Sequence, residues 1–129
     1  MSNVQAQMTN QVQSLNSSKK YDLQERTASF GEKVIDMVKG IQLTSITSPL
    51  ISQVVRSATS IGANYMEADA ADSKKDFRFK IALCKKESKE TMHWLRMLSR
   101  AAPNTIEDCR RLWKEVHELV LIFSSILKK

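Results

Sequence analysis

The sequence predicts an all-α protein, an antiparallel up-and-down four-helix bundle. Three observations support this fold class. The 129 residues include only three glycines and two prolines, which leaves little material for hairpins or long turns. Apolar residues recur at three- and four-residue steps along four separate segments. Capping residues or a proline bound these segments, and the links between them are short, as is typical of antiparallel bundles.

The first helix is predicted to begin at Asp22, with Glu25 completing a capping box, and to end at Gly40. The second is predicted to begin at Ser48-Pro49 and to run to about Ala70. The buried stripe of the first helix contains Leu23, Thr27, Phe30, Val34, Val38 and Ile41. That of the second contains Leu50, Val54, Ser57, Ala58, Ile61, Tyr65 and Ala68.

The second helix is rich in small residues between Ser57 and Asn64. Its Gly62 costs about 1 kcal/mol relative to alanine in a helix interior. Small side chains allow another helix to approach closely, so we expect a close helix–helix contact at this position.

The third helix is predicted to begin after the capping box Ser73–Asp76 and to reach about Arg100. Pro103 interrupts the pattern, and the fourth helix starts at Asn104 or Thr105. The buried stripe of the third helix contains Phe77, Ile81, Cys84, Ser88, Thr91, Leu95 and Leu98. That of the fourth contains Cys109, Leu112, Trp113, Val116, Leu119, Val120, Phe123 and Leu127.

Residues 1–20 are rich in Gln, Asn and Ser and lack periodicity, which predicts a flexible N-terminal tail before a bundle domain at 21–129. This segment has no apolar core of a signal peptide, and no run approaches the length of a membrane span. Cys84 and Cys109 lie among apolar neighbours, so we expect them to be reduced and buried. These features predict a cytoplasmic protein without a membrane partner.

The entire net charge of +6 falls within Lys74–Arg100, where nine basic residues oppose three acids. Such an excess on one element attracts polyanions; the alternative is a solvated face that only maintains solubility. On a helical wheel one flank of this helix collects the candidate nucleic-acid contacts Lys75, Arg78, Lys85, Lys86, Lys89, Arg96 and Arg100. Exposed aromatic residues do not interleave with them, so backbone- or shape-directed RNA contact is favoured over reading of single-stranded sequence.

The opposite flank of the third helix is a second apolar stripe bordered by carboxylates, which suggests a subunit interface. The alternative is that Phe79 and Trp94 fold onto helix ends or the tail. A weaker second stripe on the fourth helix runs through Ile122 and Ile126 beside Glu115. The candidate interface contains Arg56, Glu67, Phe79, Leu83, Glu87, Glu90, Trp94 and Met97.

Residues suited to catalysis are few. Neither His93 nor His117 has a nucleophile or carboxylate at a spacing that would make it a base. Glu90 and His93 have the spacing of a di-metal bundle motif, but a second copy is missing and both point away from the core. We therefore expect no enzymatic activity, no catalytic residues, no metal, no cofactor and no small-molecule substrate.

The segment Arg56–Ala68 resembles the second-helix signature of the bacterial four-helix-bundle proteins encoded in 23S rRNA intervening sequences. Ile81-Ala82, Lys86-Glu87, Glu90-Thr91 and Trp94-Leu95 are similar to the third helix of that family. Glu25-Arg26-Thr27, Phe30 and Val34-Ile35 are similar to its first helix. The likeness extends from about Tyr21 to Leu127.

This resemblance implies a non-enzymatic ring, a homopentamer, that binds RNA. It also implies kinship with accessory proteins of diversity-generating retroelements. Arg56, Asn64 and Glu67 would form the polar group of the second helix, and Glu87, Glu90 and Trp94 would make contacts between helices or subunits. Two functions stay open: an RNA-binding oligomer, or an adaptor that docks a protein such as a reverse transcriptase.

Overall fold

The computed structural model describes residues 22–129, and the tail predicted at 1–20 lies outside them. The described chain forms α1 (Leu23–Lys39), α2 (Thr47–Asp69), α3 (Lys74–Ala101) and α4 (Ile106–Lys128), with a 3-10 turn at Pro103–Thr105. Each helix packs chiefly against the helix before and after it, and α1 also meets α4. This arrangement confirms the predicted four-helix bundle. The helices of residues 22–129 are all too short or too polar to cross a membrane.

Helices α1 and α3 begin where the capping residues predict. The Asp22 carboxylate accepts a hydrogen bond from the Glu25 backbone N–H at 3.3 Å, and the Ser73 hydroxyl accepts one from that of Asp76 at 3.0 Å. Each bond satisfies an N–H group that the first turn of a helix leaves without a partner. Helix α1 ends at Gly40, as predicted.

Helix α2 begins slightly earlier than Ser48-Pro49, and a different residue pair fixes its start. The Thr44 hydroxyl accepts a hydrogen bond from the Thr47 backbone N–H at 3.0 Å, and the Thr47 hydroxyl accepts one from that of Thr44 at 2.9 Å. This reciprocal pair works as a capping box with threonine in place of glutamate. Pro49 then lies in the first turn, where its missing N–H costs no hydrogen bond.

The core forms along the predicted stripes of α1, α2 and α3. Phe30, Ile61 and Leu95 are almost wholly inaccessible to solvent, and they pack with Phe123 of α4. Cys84 and Cys109 are both buried and unpaired, as predicted. Burial raises the pKa of the Cys84 thiol to about 12, so this thiol stays protonated at neutral pH.

The buried face of α4 is rotated relative to the prediction. Trp113, predicted to be buried, is 38% exposed, whereas Ile122, assigned to a surplus outer stripe, is only 5% exposed. Ile122 lies one heptad after Glu115, which binds Arg26 of α1. Helix α1 therefore packs on this side of α4, and Trp113 is left at the opposite edge of the buried face.

Arg26 joins the first helix to the last. Its guanidinium donates two hydrogen bonds to the Glu115 carboxylate, at 2.8 and 2.9 Å, and also lies 3.0 Å from a carboxylate oxygen of Glu118. The hydrogen bonds to Glu115 raise the pKa of Arg26, so the guanidinium stays charged at any physiological pH. The planar, bidentate geometry fixes the rotation of α4 against α1.

The small residues of α2 have the packing role that the sequence predicts. A Cβ atom on Gly62 would lie 3.4 Å from the hydroxyl oxygen of Thr27, and one on Gly31 would lie 3.7 Å from the Cα of Thr59. Helices α1 and α2 therefore approach closely at these glycines. On its other side α2 meets α3 through small polar residues, where the hydroxyls of Ser57 and Thr91 lie 2.8 Å apart.

Replacing Gly62 with leucine should separate α1 from α2. A Cβ already meets Thr27, so the longer side chain would press on the backbone of α1, and we expect a net loss of about 1–2 kcal/mol in the free energy of unfolding. The measurement is denaturant unfolding followed by circular dichroism. Gly40→Leu is the matched control, because Gly40 has φ of −89° and an exposed position. Equal stability of both variants would contradict the close contact.

Candidate nucleic-acid interface

Helix α3 has one buried face and two flanks. Ile81, Cys84, Ser88, Thr91, Leu95 and Leu98 are buried, as the sequence predicts. Five predicted basic residues lie on the flank toward α4 and solvent: Arg78, Lys85, Lys89, Arg96 and Arg100. Lys75 and Lys86 lie opposite the buried face, close to Phe79 on the helical wheel. These seven residues are called the basic flank below. Phe79, Leu83, Glu87, Glu90, Trp94 and Met97 lie on the flank toward α2 and solvent, and are called the interface flank.

Arg56 of α2 binds both glutamates of the interface flank. Its guanidinium lies 3.2 Å from a carboxylate oxygen of Glu87 and also contacts Glu90. The Trp94 indole N–H donates a hydrogen bond to the same Glu90 oxygen at 3.2 Å. Nearby, the Lys80 ammonium lies 2.7 Å from the Glu67 carboxylate. The structure therefore brings together Arg56, Glu87, Glu90 and Trp94 within a single chain.

The apolar members of the interface flank differ in exposure. Phe79 is 57% exposed, which is unusual for so large an apolar side chain. Leu83, Trp94 and Met97 are half-buried, and Trp94 packs against the edge of the core. Phe79 is therefore the largest apolar surface that this flank offers to another molecule.

The basic flank is left without counter-charges. Lys75, Lys86, Lys89, Arg96 and Arg100 are exposed and Lys85 is half-buried; within residues 22–129 none of these six forms an ion pair. Arg78 differs, because its guanidinium donates a hydrogen bond to the backbone carbonyl of Leu127 at 2.7 Å. That bond satisfies a carbonyl at the C-terminus of α4, where a cation is favourable. Arg78 thus joins α3 to α4.

An aromatic pair on α4 lies beyond the predicted site residues. The rings of Trp113 and His117 stack with centroids 5.1 Å apart and an interplanar angle of 24°. The sequence assigned Trp113 to the buried stripe. The available signal was its place at the edge of that stripe on the helical wheel, about 60° from the centre and one turn from His117.

The residues considered for metal binding are not grouped as a metal site. Glu90 binds Arg56 and Trp94, and the His93 ring lies edge-on to Trp94 with centroids 5.0 Å apart. Over residues 22–129, no three His, Cys, Asp or Glu side chains are grouped to hold a metal ion.

The fold and this charge distribution define a class of protein, a basic four-helix bundle with a cationic flank open to solvent. The family model of the 23S rRNA-intervening sequence protein matches residues 19–125. The chain belongs to that family. A structural neighbour is a crystallised protein of unknown function from the S23 ribosomal protein family of Bacteroides thetaiotaomicron. It is 29% identical with a TM-score of 0.73, and the match covers 83% of this chain and 99% of that one. No curated protein matches the chain.

Substituting Arg56 with alanine should destabilise the α2–α3 pair. Exposed ion pairs contribute less than about 1 kcal/mol, but the Glu87 side chain is only 16% exposed and would lose its cation. We expect a loss of about 1 kcal/mol in the free energy of unfolding, measured by denaturant titration. Arg111→Ala is the control, since its pair with Asp108 is within one exposed helical turn. If both variants lose the same amount, Arg56 does not join the two helices.

Proposed function

We propose that this protein is a non-enzymatic RNA-binding protein of the cytoplasm that binds through the basic flank of α3. The observation that carries the proposal is the separation of charge across that helix. Glu87 and Glu90 both bind Arg56 on the side toward α2, whereas six cations of the basic flank have no ion-pair partner within residues 22–129. The positive potential of the basic flank is therefore not cancelled locally, which favours a polyanionic ligand.

The length of α3 suits contact with several phosphates. Its 28 residues extend for about 40 Å at 1.5 Å per residue, and the basic flank occupies most of this length. Lysine and arginine bind phosphates largely without regard to base identity. RNA is favoured over DNA because the chain belongs to a family named for 23S rRNA intervening sequences.

Neutralising three cations of the basic flank should weaken RNA binding and its dependence on salt. In the triple variant Lys85→Gln, Lys89→Gln and Arg96→Gln, up to three phosphate contacts are lost. The slope of log affinity against log salt should then fall in magnitude by about 2–3. The measurement is fluorescence anisotropy of labelled RNA between low and physiological salt.

The matched control changes the same number of charges elsewhere. Lys33→Gln, Lys39→Gln and Arg111→Gln replace exposed cations of α1 and of the α1 side of α4, and should leave the slope near that of the wild-type protein. If the basic-flank variant retains RNA as the wild type does at low salt, the proposal is wrong. The adaptor function would then gain support if partner binding depended on Phe79 or Trp94 without a salt-linked slope.

We further propose that copies of the chain assemble, as a homopentameric ring, through the outer surface shared by α2 and the interface flank. Phe79 supports this proposal, because burying its exposed ring would remove a large apolar area from water. Leu83 and Met97 extend the same surface along α3. The number of copies follows from the resemblance of the sequence to ring-forming bundles.

Placing a charge on Phe79 should dissociate the assembly. Phe79→Glu would bury a carboxylate in the interface, which is strongly unfavourable without a partner, so we expect mainly monomer. The measurement is sedimentation velocity at micromolar concentration. Leu43→Glu, at a position 71% exposed in the α1–α2 link, should sediment like the wild type. A monomeric wild-type protein would refute self-association.

A further inference from the structure

An exposed aromatic ridge on α4 has no role in the core. Trp113, His117 and Leu121 follow one another at four-residue steps, which places them along one side of the helix. Trp113 is 38% exposed and Leu121 is 56% exposed, and His117 is also exposed. The stacked rings of Trp113 and His117, called the aromatic platform below, form an ordered π surface at the boundary with solvent.

The aromatic platform lies beside the basic flank. The hydrogen bond from Arg78 to the Leu127 carbonyl fixes the antiparallel register of α3 and α4, to within about one turn. Counting forward along α3 and backward along α4 from this bond places Lys89 at the level of His117. The same count places Trp113 between the levels of Lys89 and Arg96. The helical wheels put all of these residues on the shared outer side of the two helices.

The charges around the aromatic platform complement a polyanion. Each acid of α4 has a cationic partner: Glu107 binds Arg110 at 3.1 Å, Asp108 binds Arg111, and Glu115 and Glu118 bind Arg26. On α3, Glu87 and Glu90 face α2. The outer side shared by α3 and α4 is therefore cationic.

We propose that the aromatic platform stacks an unpaired base of single-stranded RNA whose phosphates are bound by Lys85, Lys89 and Arg96. This inference rests on the proposed RNA-binding function and specifies the form of RNA. Every base has a π face, so stacking tolerates any sequence. In a duplex those faces are covered by neighbouring base pairs, so no base is free to stack on the aromatic platform. An aromatic pair beside free cations is the arrangement of single-strand binding surfaces, which the sequence reading did not anticipate.

Two RNA probes test the proposal with the full chain. One is a 12-nucleotide oligouridylate, which has little structure of its own, and the other is a 12-base-pair RNA duplex. Oligouridylate should quench tryptophan emission on binding, and the duplex should not. Trp113→Leu should abolish the quenching. The remaining tryptophan, Trp94, lies on the opposite flank of α3, away from the proposed stacking site.

Affinity provides the second readout. Base–aromatic stacking predicts that Trp113→Leu weakens oligouridylate binding by at least about 5-fold, with duplex affinity and the salt slope unchanged. Trp113→Phe should restore most of the loss, since it keeps an aromatic ring. Met66→Ala is the control for removing an exposed apolar side chain, as Met66 is 53% exposed beside α1. A second variant, His117→Ala, should also weaken oligouridylate binding. It serves as the test if thermal melts show that Trp113→Leu is poorly folded.

The outcomes separate this inference from the function on which it rests. If Trp113→Leu and His117→Ala bind oligouridylate as the wild type does, with the salt slope intact, RNA binding stands and the aromatic platform is refuted. An equal loss of duplex and oligouridylate binding in a variant that melts like the wild type also refutes stacking, because a duplex offers no free base to the aromatic platform. If the wild-type protein retains neither probe at low salt, the proposed function fails and this inference fails with it.

Discussion

The burial of one face of α3 between α2 and α4 is the constraint on which the surface of this protein depends. Ile81, Cys84 and Leu95 are wholly inaccessible to solvent, so α3 cannot rotate about its axis without exposing them. Such a rotation would expose several apolar side chains to water, and exposing each large one costs about 1.5–3 kcal/mol of folding free energy. With the rotation fixed, the sequence of α3 directs its glutamates toward α2 and most of its cations toward α4 and solvent, with Lys80 bound to Glu67 of α2 as the exception.

Arg56 keeps the glutamates of α3 bound on the side away from its unpaired cations. A guanidinium from α2 binds both Glu87 and Glu90. Without it, Glu90 would be within reach of Lys86, one turn away on α3. The small residues of α2 act in the same direction, since they let α2 pack closely on both neighbouring helices. Packing and charge are therefore coupled. The contact that holds α2 to α3 also keeps Glu87 and Glu90 away from the basic flank, which has no ion-pair partner among residues 22–129.

The parts of the fold that depend on apolar periodicity were predictable from the sequence. The buried stripes of α1, α2 and α3 were predicted because apolar spacing identifies the inner face of a helix. The start of α2 was placed slightly late because its capping box pairs Thr44 with Thr47, whereas the expected signal is a serine or threonine followed by glutamate or glutamine. On α4 the prediction exchanged Trp113 and Ile122, because a local pattern does not show which side of α4 faces α1. Arg26 and Glu115 mark that side, and they lie 89 residues apart in the sequence. The cations of the basic flank were predicted from their spacing, but the aromatic platform required the rotation of α4.

Self-association and RNA binding, as proposed, would use different sides of α3. Phe79 lies on the side toward α2, whereas the aromatic platform and the basic flank face the side toward α4. Copies that associate through Phe79 would therefore leave Lys85, Lys89 and Arg96 of every copy in solvent, whereas Lys75 and Lys86 would lie at the edge of the contact. A single weak RNA contact per copy would then suffice, because linked sites bind successive segments of one strand at a high effective concentration. Under the proposed function, such an arrangement accounts for the concentration of the whole net charge on one helix of each copy.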